Sequence, residues 1–249
     1  MKILAIDTSS KICSVAITED TNKIIELHSD DEKTHSVKLM PMIDEALKTC
    51  SLTLDNIDLL SCCVGPGSFT GVRIGIATVK AFSDAKSIST VGISSLEELA
   101  YNTLETIPSI QLSNTLFCSI IDANNHNVYC GLFRYYNDCL NQITDFISED
   151  IETVISKINT TIATFNNQFS NIMFVGDGTV VYKNLLENDI NNINTLFSAS
   201  EQNITNSISV AKAGYIKYKN GNYGDSDFLS PLYLRKPQAE RTLEENFKK

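Results

Sequence analysis

Three short polar stretches carry the residue types that could do chemistry. Asp7-Thr8-Ser9-Ser10 ends the first apolar run, Gly65-Pro66-Gly67-Ser68-Phe69-Thr70-Gly71 ends a later one, and Gly176-Asp177-Gly178-Thr179 ends a third. A glycine-rich turn after a strand and before a helix is where a phosphate loop would sit. The nucleotide-hydrolase version needs a second glycine five residues after its first, followed directly by a Lys. From Gly65 that position is Thr70 and from Gly67 it is Val72, so that loop is excluded. The spacing Gly65, Gly67, Gly71 is one residue longer than the dinucleotide fingerprint and follows the wrong strand of its unit. Backbone amides near Ser68–Thr70 could still hold an anion at the helix start. Asp7 ends the first strand, and with Thr8, Ser9 and Ser68 it is a weak cofactor-binding candidate. The glycine that would bring backbone close to a phosphate is missing beside Asp7. Gly176-Asp177-Gly178-Thr179 reads as a second nucleotide loop or an ordinary sheet-edge turn.

His28, His35 and His126 share no HxxH or HxxxH spacing, so no helix presents two imidazoles on one face. The seven cysteines form no CxxC, and five of them lie in apolar runs, as small hydrophobes of a reducing compartment do. No catalytic triad and no close carboxylate pair stands out, and no metal site is expected.

The helix after the glycine loop raises a further question. Gly71 and Gly75 are four apart with Thr78 on their stripe, and Ala77, Ala81 and Ala85 form a second stripe beside it. Each interior helix glycine costs about 1 kcal/mol against alanine. Such positions are kept where another backbone comes close, either within the chain or from a second subunit.

The elements that must position these residues follow from the apolar periodicity. "KILAID", "CSVAIT" and "KIIELH" read as a meander of strands. "THSVKLMPMIDEALKTC" reads as a helix capped by Thr34 or Ser36, with Pro41 kinking it or lying in its first turn. "LLSCCVG", the glycine helix, "SISTVG" and a helix opened by a Ser94/Glu97 capping box follow. The order is β-β-β-α-β-α-β-α. Beyond the polar stretch around Pro108 it restarts: a hairpin about Ala123–His126, a strand "QITDFI", a helix from "SEDIETVISKI", a strand "NIMFVGDG" and a helix "VVYKNLLEN". "TIATFNNQFSN" and the polar run at 187–206 read as surface loops.

Two such units make an α/β fold of two tandem ribonuclease-H-like domains, the actin/Hsp70/sugar-kinase (ASKHA) class, by fold-level analogy. The expected domains are 1–107 and a degenerate 108–205, with 206–249 packing back onto the first. The net charge of −10 on 249 residues, with 20 scattered basic residues, argues against a surface that grips nucleic acid unaided. "MKILAID" reads as a strand and not a leader, and no run reaches the roughly 20 apolar residues of a membrane span, so the expected location is the cytoplasm.

"MKILAIDTSSKICSVAI", "HSVKLMPMIDEAL", "VGPGSFTGVRIGIATVKAF", "GISSLEELA", "VGDGTVVY" and "PLYLRKPQAER" together resemble the TsaB (YeaZ) family of tRNA threonylcarbamoyladenosine biosynthesis proteins. The resemblance runs from Met1 to near Arg241. It implies a non-catalytic paralogue and partner of TsaD, which also meets the ATPase TsaE, reaches tRNA only through the complex and forms a homodimer when alone. TsaD-like proteins carry an HxxxH metal pair on the early helix; here His35 stands with Leu39 in the second position. The Asp-Ala-Arg and Glu-Val-Tyr elements usual in the family are Asp122-Ala123-Asn124 and Asn127-Val128-Tyr129 here, without the Arg and Glu. The family's helical bundle implies a partner interface at Leu39, Met42, Ile43 and Ala46 on the early helix, and Gly71, Arg73, Gly75, Ile76, Ala77 and Lys80 on the glycine helix. No tightly bound cofactor is implied, with ATP or ADP at the complex boundary left open. The alternatives are an independent ATPase or small-molecule kinase using Asp7 for Mg²⁺ and, more weakly, a peptidase.

Overall fold

The computed structural model describes residues 1–30, 35–165 and 168–235. The first sheet is built from β1 (Lys2–Asp7), β2 (Cys13–Glu19), β3 (Asn22–Ser29), β4 (Leu59–Gly65) and β5 (Ser89–Ser94), in the order β3-β2-β1-β4-β5. The first three are antiparallel, and β4 and β5 run parallel to β1. The central strands β1 and β4 are apolar on both faces, as strands covered by helices on both sides must be.

Helices α1 (His35–Thr49), α2 (Phe69–Lys86) and α3 (Ser95–Asn102) connect or follow these strands. Pro41 lies inside α1, past its first turn. Ser36 is within the helix and not its cap, while Thr34 lies outside the described residues. Ser94 caps α3 by accepting the Glu97 N–H at 3.0 Å. The Glu97 carboxylate takes the Lys217 ammonium instead of closing the capping box.

After a short helix α4 (Ser109–Leu112), the second sheet contains β6 (Thr115–Asp122), β7 (Asn127–Tyr136), β8 (Cys139–Gln142), β9 (Ile147–Asp150), β10 (Asn171–Val175) and β11 (Asn194–Phe197). Its order is β11-β10-β6-β7-β8, with β9 also paired to β7. Helices α5 (Ile151–Thr164), α6 (Asp177–Val181), α7 (Lys183–Asp189) and α8 (Ser207–Lys219) complete it. Both sheets have the same connectivity, three antiparallel strands and then two parallel to the first, which is the duplicated α/β architecture of the ASKHA class.

The second half departs from the sequence reading in detail. "QITDFI" is not one strand: its ends belong to β8 and β9. Asn137 and Asp138, both at positive φ, turn the chain tightly from β7 into β8. The ten-residue β7 is long enough for β9 to pair with its other end. The helix expected from Ser148 starts at Ile151, with Asp150 as its N-cap. The expected loops also hold structure. Thr161–Thr164 finish α5, and β11 lies in the polar run, with Phe197 stacked on Phe174. The helix expected from "VVYKNLLEN" is broken at Tyr182 into α6 and α7.

Three apolar clusters stack the layers. The outer cluster packs α1 and α2 on the first sheet through Leu39, Ile43, Val72, Ile76 and Val79. The middle one joins the two sheets through α3 and α8, with Leu96, Ala100, Val210 and Ala213 between Ile3 and Ile93 on one side and Phe117 and Phe133 on the other. The third lays α5 and α7 on the second sheet. Beyond α8 the chain crosses back. The Leu232 N–H donates to the Val64 carbonyl, Tyr233 stacks on Phe69, and the Arg235 guanidinium donates to the Ala123 carbonyl.

Candidate functional site

The two polar loops that sequence reading held apart lie against each other. Ser68 caps α2 by accepting the Gly71 N–H, and its own N–H donates to the Ser9 carbonyl at 2.6 Å. The Thr8 hydroxyl donates to the Gly71 carbonyl at 2.7 Å. A Cβ at Gly67 would fall 2.2 Å from the Ser9 carbonyl oxygen. One at Gly71 would fall 2.0 Å from that of Thr8, and one at Gly75 would fall 2.5 Å from the Thr8 hydroxyl. The glycines at 71 and 75 therefore make room for the chain's own first loop. This corrects the expectation that they clear space for a neighbouring helix: both are buried inside the protein. Asp7, Thr8 and Ser9 are buried beneath the same helix start.

Strand geometry then gathers a group that the sequence did not announce. Side chains alternate along β1, so Ile3, Ala5 and Asp7 face one way, into the middle cluster. β4 runs parallel with Ile6 opposite Cys62, which brings Cys63 alongside Asp7. α3 delivers Glu98 from above. One donor atom each from Asp7, Cys63 and Glu98 lies within 4.8 Å of the other two, and all three residues are fully buried. The Ser9 N–H donates to Asp7 Oδ1 at 2.7 Å. The Asp7 N–H donates to Ser207 Oγ, which pairs with Ser14 Oγ. Asp7 Oδ2 and both Glu98 oxygens have no hydrogen-bond partner. Burial, and then the Asp7 charge, push the Glu98 carboxyl well above the usual carboxylate range. The Cys63 thiol and the Asn206 N–H pull the other way but lie outside hydrogen-bond geometry. The Cys63 thiol is raised by the same burial and charge. Sequence reading found no close carboxylate pair; the fold makes one of Asp7 and Glu98. The alternation Ile3-Ala5-Asp7, continued across to β4, was the available signal for Cys63.

The third loop is a packed turn. A Cβ at Gly176 would lie 2.3 Å from the Ile120 carbonyl oxygen, and one at Gly178 would lie 2.7 Å from the Ile120 side chain. Asp177 Oδ1 accepts the Asp122 N–H, and the Thr179 hydroxyl donates to the Gly176 carbonyl. The glycines of this stretch are accounted for by its packing against β6. The histidines are dispersed: His28 sits 3.4 Å from Glu26, His35 is buried at the start of α1, and His126 lies in the β6–β7 turn.

The expected partner-interface residues divide by helix face. Leu39, Met42, Ile43, Ala46 and Ile76 are buried in the outer cluster against the first sheet, so as the chain stands they offer no surface. The apolar periodicity marked the face that the sheet covers. The face turned outward carries Val37 (71% exposed), Met40 (49%) and Pro41 on α1, and Arg73, Ala77 and Ala81 on the adjacent α2. Lys80 is half-buried. Arg73 lies over the Phe69 ring at 3.9 Å, and its Nε donates to the Tyr233 hydroxyl at 2.7 Å, so the returning C-terminal segment orients it.

Among the described residues no helix is long and apolar enough to cross a membrane. A family model described as "TsaD: tRNA N6-adenosine threonylcarbamoyltransferase" matches residues 25–243. The TsaB protein of Bacillus subtilis is 29% identical over 96% of both chains. That of Haemophilus influenzae is 27% identical over 94% of both. A Buchnera aphidicola TsaB is 32% identical over 71% of this chain and 78% of its own. Among solved structures, YeaZ from Pseudomonas aeruginosa superposes with a TM-score of 0.76 at 21% identity, over 94% of this chain and 99% of that one. A ROK hexokinase from Thermus thermophilus superposes at 0.57 and 8% identity, over 89% and 100%, a likeness of fold alone. The matched model and the full-length relatives agree with the motifs from Met1 to Arg235, and the chain belongs to the TsaB (YeaZ) family, within the wider family described by the TsaD model.

Proposed function

We propose that this chain is a non-catalytic subunit in the synthesis of threonylcarbamoyladenosine in tRNA, and that it binds and activates TsaD. The observation that carries the interface is the outward face of α1 and α2. It carries exposed Val37, Met40 and Pro41 on α1 and the small, exposed Ala77 and Ala81 on the adjacent α2, an apolar surface of the kind that supports a protein–protein contact. The same patch paired with its own copy gives the homodimer of the isolated chain, because an isologous contact reuses one surface. The relatives' names, tRNA threonylcarbamoyladenosine biosynthesis protein TsaB, support the pathway. The acidic balance of −10 supports an indirect role toward tRNA. TsaE and a nucleotide at the subunit boundary belong to the same proposal, as does action in the cytoplasm. An independent kinase would need Asp7 at an open cleft, and here it is fully enclosed.

The test is reconstitution with TsaD of the same organism. The wild-type chain is expected to co-purify with TsaD, to raise threonylcarbamoyladenosine formation, and to form none by itself. Ala77→Trp and Met40→Asp, both on the outward face, are expected to abolish co-purification while changing monomer stability by less than about 0.5 kcal/mol. A wild-type chain that neither binds nor stimulates TsaD would sink the subunit reading. Retention of the complex by both variants would sink the interface.

A further inference from the structure

We propose that Asp7, Cys63 and Glu98 form a binding site for one divalent transition-metal ion of the zinc and cobalt class. The donors come from three separate elements, the ends of β1 and β4 and the first turn of α3, which is why no paired cysteine or histidine spacing betrays the site. Their donor atoms already lie within 4.8 Å of one another. Around a tetrahedral ion, with metal–sulfur near 2.3 Å and metal–oxygen near 2.0–2.2 Å, such donors sit about 3.5 Å apart, so small rotations of Glu98 close the shell.

The second observation is the state of the oxygens. Asp7 Oδ2 and both oxygens of Glu98 are enclosed and unpartnered, and one carboxylate oxygen of each residue lies within 4.8 Å of the Cys63 sulfur. Buried polar atoms are almost always paired, and here no protein donor completes them. A proton shared between the two carboxyl groups would pair one oxygen of each and leave the Cys63 sulfur out, whereas an ion binds one donor atom from all three side chains. A thiolate among carboxylates selects a borderline ion over Mg²⁺ or Ca²⁺. Binding releases the Cys63 and Glu98 protons to solvent, so a dipositive ion faces three anionic ligands. Ser9 N–H and the Ser207 and Ser14 hydroxyls orient Asp7 from behind.

Because the site is closed, the full-length chain is refolded from denaturant with Co²⁺, dialysed, and measured by elemental analysis and absorption spectroscopy. The expected result is one cobalt per chain with a near-ultraviolet thiolate-to-cobalt charge-transfer band. That band should be absent in Cys63→Ser and retained in Cys62→Ser, whose sulfur faces the opposite cluster. Glu98→Gln, close to isosteric, is expected to weaken cobalt binding by at least about tenfold, and it carries the test if Cys63→Ser does not fold. Refolded wild type without stoichiometric cobalt, a band that survives Cys63→Ser, or unchanged affinity in Glu98→Gln would each overturn the site.

Discussion

Replacing Gly71 with alanine separates two reasons for keeping glycine in a helix. If the position only cleared space for another subunit, alanine would stabilise the isolated chain by about 1 kcal/mol through helix propensity. The structure predicts the opposite. The added Cβ lands 2.0 Å from the Thr8 carbonyl oxygen and 3.2 Å from Ser68 Oγ, so either α2 or the first loop must move by more than an ångström-scale adjustment of rotamers. The loop is held there by the Ser68 N–H on Ser9 and by the Thr8 hydroxyl on the Gly71 carbonyl. Moving it breaks at least one of these buried bonds, at about 1–3 kcal/mol. Overpacking adds about 1–3 kcal/mol. After the propensity gain is subtracted, Gly71→Ala should destabilise by roughly 1–5 kcal/mol, or about 2–20 °C in Tm for a chain of this size. Urea and thermal unfolding followed by circular dichroism measure it. A variant as stable as wild type, or more stable, would refute the intramolecular account and return Gly71 to the partner interface.

Ser68→Ala removes the cap of α2 and should cost about 1 kcal/mol in urea unfolding. Leu39→Ala, in the outer cluster, should cost about 2–5 kcal/mol, whereas Val37→Ser on the same helix should be near neutral; equal costs would show that the helix faces are misassigned. Burial, and then the Asp7 charge, push the Cys13 thiol from 9.0 up to about 12. Its native state therefore holds a proton that the unfolded chain gives up. The stability this provides is complete below pH 9 and lost as pH rises toward 12, and Cys13→Ala should flatten that part of the pH–stability curve. Alkylation of the native protein near neutral pH should reach Cys50 and Cys139 and spare Cys13 and Cys62, as mass mapping would record.

The element order was legible because β1, β2 and β4 are apolar runs of strand length bounded by polar turns, and α1 and α5 carry a helical period. The short pieces were not. β8, β9 and β11 are four residues each, too few for alternation to register, and β8 and β9 are placed by a tight turn and by the length of β7. The interface residues on α1 were carried over from the family's helical bundle, and the same residues are the ones its own sheet covers. The apolar stripe Leu39, Ile43, Ala46 signals that something covers the helix, and its own sheet does so before any partner can. Likewise Gly71 and Gly75 declare a close approach without saying whose backbone approaches. Cys63 looked like one more small hydrophobe and Glu98 like one more helix carboxylate. Only the parallel register of β1 with β4, and the angle at which α3 crosses them, bring both to Asp7.

The covering of the first sheet by α8 bears on how the chain is made. Asp7 is bonded to Ser207, and Ser61 to Val210, across most of the sequence. During synthesis the inner face of the first sheet is complete in sequence once Ser94 has emerged, yet its lid ends at Lys219. At about 5–20 residues per second the nascent first unit waits on the order of ten seconds with Ile3, Ala5 and Ile93 uncovered. A ribosome stalled before α8 would release a chain with a finished sheet and an open apolar face, the kind of intermediate that chaperones hold.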